Sequence, residues 1–348
     1  MMRSPRNENL TTLPRWADRE CVSVTSDQET NMSLSRTPFH SFSAAVTLVA
    51  GVALASAMAM AQTPPAPPPQ GVPENAVTRV SEHVYAIVGN PNIAIVIGDR
   101  ATLVVDTGLG ARSGAIVVRE VDKLTRNPKL FLTTTHFHPE HATGEQAFPA
   151  HTILIRPTVQ QQEMDRRGAE FIDMFRGNSA RNKELLQDVK LRTPDIVFDR
   201  EMRLDLGGIH ARLSWFGPAH TQGDETIFVE EDSVLIPGDI VQNKVVPNLF
   251  NEDATAKGWL NVLDKLEPLR PRFVVPDHGP LGDGSLIGKE RAFILDLQGR
   301  AAELKRQGTP VEDAGRLLIT EFKAKYPDWT GVDGGIPRGV RRVYAESQ

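Results

Sequence analysis

Four metal-binding side chains are crowded into residues 136–141, His-Phe-His-Pro-Glu-His, directly after an apolar run at 130–135. If that run is a strand, His136 and His138 point the same way, because side chains two apart share a face. Pro139 has a fixed φ and forces a change of direction, which lets Glu140 and His141 approach the same point. Clustered imidazole and carboxylate groups hold borderline divalent metals in proteins, so this segment predicts a metal centre.

Further acidic and histidine residues follow apolar runs or stand in glycine-containing turns. They are Asp106 in Val-Val-Asp-Thr-Gly, His220 in Gly-Pro-Ala-His-Thr-Gln-Gly-Asp, Asp239 in Pro-Gly-Asp and His278 in Pro-Asp-His-Gly. With residues 136–141, these motifs resemble the metallo-β-lactamase superfamily, whose first metal motif is HxHxDH. The resemblance covers residues 78–300 or thereabouts. It implies an α/β fold, the four-layer αββα sandwich, with metals at one edge of the two sheets.

Carried over position by position, the resemblance implies two metal sites. The first would be formed by His136, His138 and His220, and the second by Glu140, His141 and His278. Asp239 would bridge the two ions, and Asp106 would orient the loop without binding metal. We expect two zinc ions, with occupancy of the second site open and with iron or manganese as alternatives.

The mechanism that the resemblance implies is attack by a hydroxide held between two divalent ions, with Asp239 and Glu140 as catalytic residues. Glu140 could orient the nucleophile and accept its proton. It also departs from the family pattern, which has Asp there, and its side chain is longer by one carbon–carbon bond, about 1.5 Å. Metal–oxygen distances vary by only about ±0.2 Å, so either the local geometry differs or Glu140 does not bind metal directly.

The apolar runs predict a β-rich fold in two halves. Runs at 84–88, 92–97 and 101–105, separated by turn residues, predict consecutive antiparallel strands. Further strands are predicted at 130–135, 202–206, 210–216, 225–229, 233–236 and 272–275, and helices at 112–126, 157–175, 181–189, 256–267, 287–306 and 312–325. Two such halves imply two sheets packed face to face, with helices outside.

The first 61 residues are predicted to lie outside the fold. Residues 43–61 form an Ala-rich apolar run that closes with Ala-Met-Ala, the pattern of a signal-peptide cleavage site. A retained membrane anchor is the alternative. Met32 is the better start for such a peptide, so residues 1–31 are interpreted as an extension from an early start-codon assignment and 32–61 as the signal peptide. We therefore expect a periplasmic or secreted protein with no stable membrane anchor.

The remaining chain divides by composition. A Pro-rich linker is predicted at 62–77, the metallo-β-lactamase-like domain at 78–310 and a helical C-terminal extension at 311–348. The segment 244–255 is predicted to be a loop beside the metals, with Lys244, Asn248 and Phe250 as candidate substrate contacts. Arg338, Arg341 and Arg342 form a basic cluster, interpreted as a solvated face or as packing over the rim of the site.

Charge and cysteine content exclude several function classes. The 348 residues include 39 Lys and Arg against 44 Asp and Glu, and the net charge of −5 argues against a general nucleic-acid binder. The single cysteine, Cys21, excludes an intrachain disulfide scaffold and a Cys-rich metal site. It lies outside the predicted mature chain, which also excludes the β-lactamase group that uses a Cys ligand after the strand at 233–236. The expected partner is a small-molecule substrate, and the oligomeric state is open.

Three functions fit this pattern. The first is an exported metal-dependent hydrolase acting on an ester, thioester, lactone or amide-type substrate, with phosphate and sulfate esters in the same range. The second is a true β-lactamase that hydrolyses β-lactam antibiotics. The third is a mono- or di-iron redox enzyme, or a non-catalytic metal-binding protein, on the same fold.

Overall fold

A computed structural model describes residues 71–249 and 254–346. The predicted N-terminal extension and signal peptide, most of the predicted linker, and Phe250 lie outside these described residues. Within the described ranges, no helix combines the length and the hydropathy needed to cross a bilayer.

The first sheet has seven strands in sequence order. They are β1 (Val77–Arg79), β2 (Val84–Ile87), β3 (Ile93–Ile97), β4 (Ala101–Val105), β5 (Lys129–Thr133), β6 (Ile153–Pro157) and β7 (Ile196–Phe198). Strands β1 to β4 pair antiparallel, whereas β4 to β7 pair parallel. The parallel half brings the carboxyl ends of successive strands to one edge.

The second sheet has five strands in the order β12-β11-β10-β9-β8. They are β8 (Glu201–Asp205), β9 (His210–Ser214), β10 (Thr226–Val229), β11 (Val234–Ile236) and β12 (Phe273–Val274). All neighbours pair antiparallel except β11 and β12, which run parallel.

Eight α-helices accompany the sheets in the described part of the chain. They are α1 (Gly110–Leu124), α2 (Pro139–Ala142), α3 (Thr158–Asn178), α4 (Ala180–Leu185), α5 (Ala256–Leu266), α6 (Ser285–Arg306), α7 (Val311–Lys325) and α8 (Val332–Glu346).

Alternating side chains along the strands build the layers. On β3, Ala94 and Val96 join the core between the two sheets, while Ile93 and Ile95 join the core that contains Val117 of α1. This alternation follows from the two-residue period of a strand, with both faces of the sheet buried. On the second sheet, Leu235 and Val274 turn outward to the core of α5 and α6. The order is thus helix, sheet, sheet, helix, which confirms the predicted four-layer αββα sandwich.

The C-terminal helices α7 and α8 share a hydrophobic core with α5 and α6. Leu318 and Phe322 of α7 and Val340 of α8 are buried in one cluster with Trp259 of α5 and Leu297 of α6. The segment predicted as a C-terminal extension therefore packs directly on the outer helical layer. The predicted domain limit at residue 310 stays a prediction.

Three strands were not predicted, all in the first sheet. β1 and β7 have only three residues each, too few to show an alternating pattern. β6 contains Arg156 and Pro157, which argue against a buried strand. Arg156 can nevertheless be fully buried, because its guanidinium forms an ion pair at 2.6 Å with the Glu145 carboxylate, which is also fully buried.

Candidate active site

The predicted metal ligands and Asp106 all lie in segments that follow the ends of strands at one edge of the two sheets. β4 and β5 are parallel neighbours, and Asp106 and His136 follow their carboxyl ends. β11 and β12 are parallel neighbours in the other sheet, and Asp239 and His278 follow theirs. His220 stands in the connection between β9 and β10. Strand order alone therefore brings motifs from five parts of the chain to one place.

The short helix α2 determines how the first motif enters the site. His138 is extended, with φ −62° and ψ 148°, and Pro139 opens the helix. A proline fits there because the first helical N–H has no partner within the helix. The turn brings His141 beside His136, with the ring centroids 4.1 Å apart, and Glu140 to the cavity that His138 also lines.

Three imidazoles form the first group of candidate ligands. Nε2 of His136 lies 3.0 Å from Nδ1 of His138, which lies 3.2 Å from Nε2 of His220. All three residues are at most 4% exposed. Nitrogen ligands about 2.0–2.1 Å from a tetrahedral zinc lie roughly 3.3 Å from one another, so this spacing fits one ion.

Glu140, His141 and His278 form the second group, and Asp239 lies between the groups. Oδ2 of Asp239 is 3.3 Å from Nε2 of His220, and its Oδ1 is 3.3 Å from Nε2 of His278. Oε1 of Glu140 is 4.0 Å from Nε2 of His141. The structure thus brings together all seven predicted ligands, and ligand atoms within each group lie within 4.8 Å of one another.

The donor atoms of this cluster suit divalent cations. Glu140 Oε2 and His141 Nε2 are buried and make no hydrogen bond to the described residues. Buried polar atoms are rarely left in that state, and an ion that accepts their lone pairs explains it. Burial lowers the pKa of His136 well below its usual value, and it lowers the pKa of His220. Neutral imidazoles with inward lone pairs are the form that a metal requires.

Outer partners orient the imidazole rings. Nδ1 of His141 donates to Asp106 Oδ2 at 2.9 Å and lies 3.2 Å from Asp277 Oδ2. Nδ1 of His278 donates to Asn90 Oδ1 at 2.6 Å. Such bonds fix which ring nitrogen faces the metal. Asp106 was predicted to orient the loop without binding metal. Its side chain also accepts a hydrogen bond from the backbone N–H of Thr135 at 2.7 Å.

The loop that carries His220 is fixed from both sides. Asp224 accepts the N–H groups of Ala219 and Thr221 at 3.1 and 2.8 Å. From α3, Gln160 donates to the carbonyl of Thr134 at 2.8 Å and to that of Gly223 at 3.2 Å. One side chain therefore joins the strand before His136 to the loop after His220.

The cavity above the two groups has a volume of about 430 Å³ and three kinds of wall. One consists of candidate ligands, one of apolar residues from α3, and one of residues from the 242–248 loop and α8. The lining residues include His138, Glu140, Phe171, Met174, Phe175, Asn178, His220, Asp239, Gln242, Val245, Val246, Asn248, His278, Gly331, Gly334, Gly335 and Arg338.

The other candidate residues divide between the site and the surface. Asn248 lines the cavity and its carbonyl accepts from Nδ1 of His220 at 3.2 Å. Lys244 instead pairs with Asp328 at 2.7 Å, beside a neighbouring groove. Of the basic cluster, Arg338 lines the cavity, while Arg341 pairs with Glu312 at 3.0 Å.

Sequence reasoning missed Asp277, Asn90 and Gln242 as parts of the site. Asp277 stands beside His278 in a motif already noted, so its position was an available signal. Asn90 precedes Pro91 in what reads as an ordinary turn. Gln242 is buried, and a hydrogen bond from its side chain helps to lower the pKa of Asp239 against the effect of burial.

Comparison with known proteins identifies the class that this fold and site define. A sequence model described as the metallo-beta-lactamase superfamily matches residues 86–278, more than half of the chain. The chain belongs to the metallo-beta-lactamase superfamily.

Relatives within the superfamily differ in activity. A linear primary-alkylsulfatase from Pseudomonas sp. (strain ATCC 19151) is 22% identical in an alignment 279 residues long, which covers 70% of this chain and 53% of that protein. The chain thus spans about half the length of this curated relative. The stereoselective inverting sec-alkylsulfatase Pisa1 from Pseudomonas sp. superimposes with a TM-score of 0.64 at 15% identity, over 80% of this chain and 50% of that one. A metallo-beta-lactamase from Pontibacter korlensis superimposes with a TM-score of 0.52 at 20% identity, over 63% of this chain and 98% of that one.

Proposed function

We propose that this protein is a dinuclear metal-dependent hydrolase that cleaves an ester-type bond in a small molecule. The observation that carries the proposal is the convergence of seven ligand side chains with the buried, unbonded Glu140 Oε2 and His141 Nε2. His136, His138 and His220 are assigned to one ion, and Glu140, His141 and His278 to the other. Asp239 is assigned between them, 3.3 Å from an imidazole of each group.

The chemistry needs both the ions and the residues around them. Bound zinc, or alternatively iron or manganese, would supply Lewis acidity and an acidified water molecule near neutral pH. Glu140 lines the cavity, where its carboxylate could orient a nucleophile and accept its proton. Asp239 lies between the two groups and is the second carboxylate in the cavity, where it could orient the nucleophile together with Glu140.

Among ester-type substrates, sulfate esters have specific support. The curated relative and one of the similar structures are both described as alkylsulfatases. The superposition on the sec-alkylsulfatase also has a higher TM-score than that on the Pontibacter β-lactamase. Thioesters, lactones, amide-type substrates and β-lactams remain competing substrates for the same site. An iron-dependent redox reaction is the competing chemistry.

A substrate panel and metal analysis test this proposal. Purified protein is assayed with chromogenic sulfate, carboxylate, thioester, lactone and β-lactam substrates, and its metal content is measured. We expect hydrolysis of an ester-type substrate and two bound divalent ions. Preferred turnover of β-lactams would favour the β-lactamase, and oxygen-dependent turnover with bound iron would overturn hydrolysis as the function.

We also propose export to the periplasm or the medium, on the basis of the Ala-rich run and the Ala-Met-Ala pattern that ends at residue 61. N-terminal sequencing of the exported protein is expected to start at Gln62. A mature chain that retains residues 43–61 would contradict cleavage and favour a membrane anchor.

A further inference from the structure

The C-terminal helix α8 forms part of the wall of the candidate active site. Gly334, Gly335 and Arg338 from this helix line the cavity that contains Glu140 and Asp239. The opposite face of the helix is anchored, because Ile336 and Val340 are buried in the core of the outer helical layer. The helix is therefore a fixed wall, and its cavity-facing residues are held in place.

Close backbone packing fixes the start of α8 against the loop after Asp239. Thr330 donates its N–H to the carbonyl of Lys244 at 2.8 Å, and its carbonyl accepts from the N–H of Val246 at 3.0 Å. A Cβ added to Gly335 would lie 2.6 Å from Cγ1 of Val246, closer than packed atoms approach. Glycine at 335 therefore lets the helix lie directly on the loop that lines the site.

Arg338 brings a permanent positive charge to this cavity. It is the one Lys or Arg side chain among the described residues that line it. Its Nη1 lies 3.5 Å from Oδ1 of Asn248, and the carbonyl of Asn248 accepts from Nδ1 of His220 at 3.2 Å. Asn248 thus connects the guanidinium of Arg338 to His220, a candidate metal ligand.

The same cavity has an apolar wall on α3. Phe171 stacks on the ring of His138 with the centroids 4.8 Å apart, and Phe175 lies 6.5 Å from that ring. Met174 also lines the cavity and is 36% exposed, high for an apolar side chain of its size. A site with apolar side chains and one guanidinium is complementary to an organic anion.

We propose that Arg338 is a specificity-determining residue that binds a negatively charged oxygen group of the substrate, while Phe171 and Met174 contact its carbon skeleton. A guanidinium offers a planar fork of N–H donors that matches carboxylate, sulfate and phosphate oxygens. The substrate class is therefore an amphiphilic organic anion. This inference rests on the proposed function, since it describes the substrate of that same site.

Equilibrium binding tests the inference without turnover. Four eight-carbon probes, octane-1-sulfonate, octanoate, octylphosphonate and octan-1-ol, are titrated calorimetrically into metal-loaded wild type, Arg338→Ala, Arg338→Lys and Arg341→Ala. We expect Arg338→Ala to weaken binding of at least one anion by about 10- to 100-fold and to leave octan-1-ol unchanged. Arg338→Lys should restore part of the affinity, since it keeps the charge without the fork. The preferred anion identifies the charged group.

Arg341→Ala is the matched control, because Arg341 lies one turn further along α8 and pairs with Glu312 outside the cavity. Anion affinities in Arg338→Ala equal to those of the wild type would overturn the inference. So would an equal loss for anions and octan-1-ol, because that result indicates a general change in the cavity. Wild-type protein that binds the anions through Arg338 but hydrolyses none of the ester panel would contradict the proposed function alone.

Discussion

Oδ2 of Asp106 lies 2.9 Å from Nδ1 of His141, and both side chains are completely buried. The bond leaves Nε2 of His141 on the side of Glu140, 4.0 Å from its Oε1, where it makes no hydrogen bond to the described residues. Asp106 has φ +70°, a conformation that few residues other than glycine adopt and that Asn and Asp tolerate best. Its position after β4 thus serves both the backbone turn and the orientation of a candidate ligand.

Asp106→Asn is expected to weaken metal binding at the Glu140–His141–His278 group by about 10- to 100-fold, with little change at the other group. Asn tolerates the same backbone conformation but replaces the carboxyl group that accepts from Nδ1 of His141. Metal titration against a competing chelator measures both affinities. Asp99→Asn, at an exposed turn position, is the control. Equal weakening at both groups would contradict a role specific to His141.

Glu140 is expected to determine the affinity of the second ion. Its extra methylene should make that site the weaker one, so wild-type protein should show one tight and one weaker binding event. Glu140→Asp and Glu140→Gln should change only the weaker event if the carboxylate is a ligand. Two equally tight ions, unaffected by either substitution, would refute control of the second site by Glu140.

Gly223→Ala is expected to disrupt the His136–His138–His220 group. An added Cβ would lie 2.3 Å from Cα of Gln160, so α3 or the His220 loop must move. We expect weaker metal binding at that group and a lower melting temperature. Gly288→Ala on α6 is the control, because a Cβ there meets nothing within 4 Å. That change should be neutral or stabilising by up to about 1 kcal/mol. Unchanged metal affinity in Gly223→Ala would contradict the tight packing.

The carboxylate of Asp232 is expected to stabilise the fold when it is ionised, and this stabilisation should be lost in acid. It accepts from Ser81 Oγ at 2.5 Å, from the N–H of His83 at 2.8 Å and from His83 Nδ1 at 2.8 Å. Against the effect of burial, the bonds from Ser81 and His83 lower the pKa of Asp232 below its usual 3.8. A lowered folded-state pKa stabilises the fold above pH 3.8, and this contribution is lost as pH falls through the folded-state value.

Asp232→Ala should therefore reduce the free energy of unfolding by about 1–3 kcal/mol at pH 7 and by less near pH 3. Urea unfolding at the two pH values measures the difference. Activity at pH 7 should be retained, since Asp232 lies outside the lining of the cavity. A penalty that grows as the pH falls would contradict the assigned sign.

Much of the fold and site was predictable because their signals are local. The strands that carry the ligands are apolar runs bounded by turn residues, and each ligand follows its strand by a few positions. Asp239 and His278 could be placed in this way, since β11 and β12 are continuous apolar runs. The family resemblance then assigned the two ligand groups, which spacing alone does not separate.

What could not be predicted depends on contacts between distant segments. Asn90 joins the site only because the turn before β3 lies against His278, 188 residues later. Arg338 belonged to a basic cluster interpreted as a solvated face or as packing over the rim of the site, and helical spacing gave no reason to separate it from Arg341. Only the packing of α8 on the loop at 244–246 brings Arg338 to the cavity.

The most direct test of the account is metal removal and stepwise replacement, followed by activity on the best ester substrate. Metal-free wild type should lose activity by several orders of magnitude and regain it as two equivalents of divalent ion are added. His136→Ala should stay inactive with metal present, whereas His83→Ala should recover like the wild type. Full activity in the metal-free protein, or in His136→Ala, would contradict a metal-dependent hydrolase at this site.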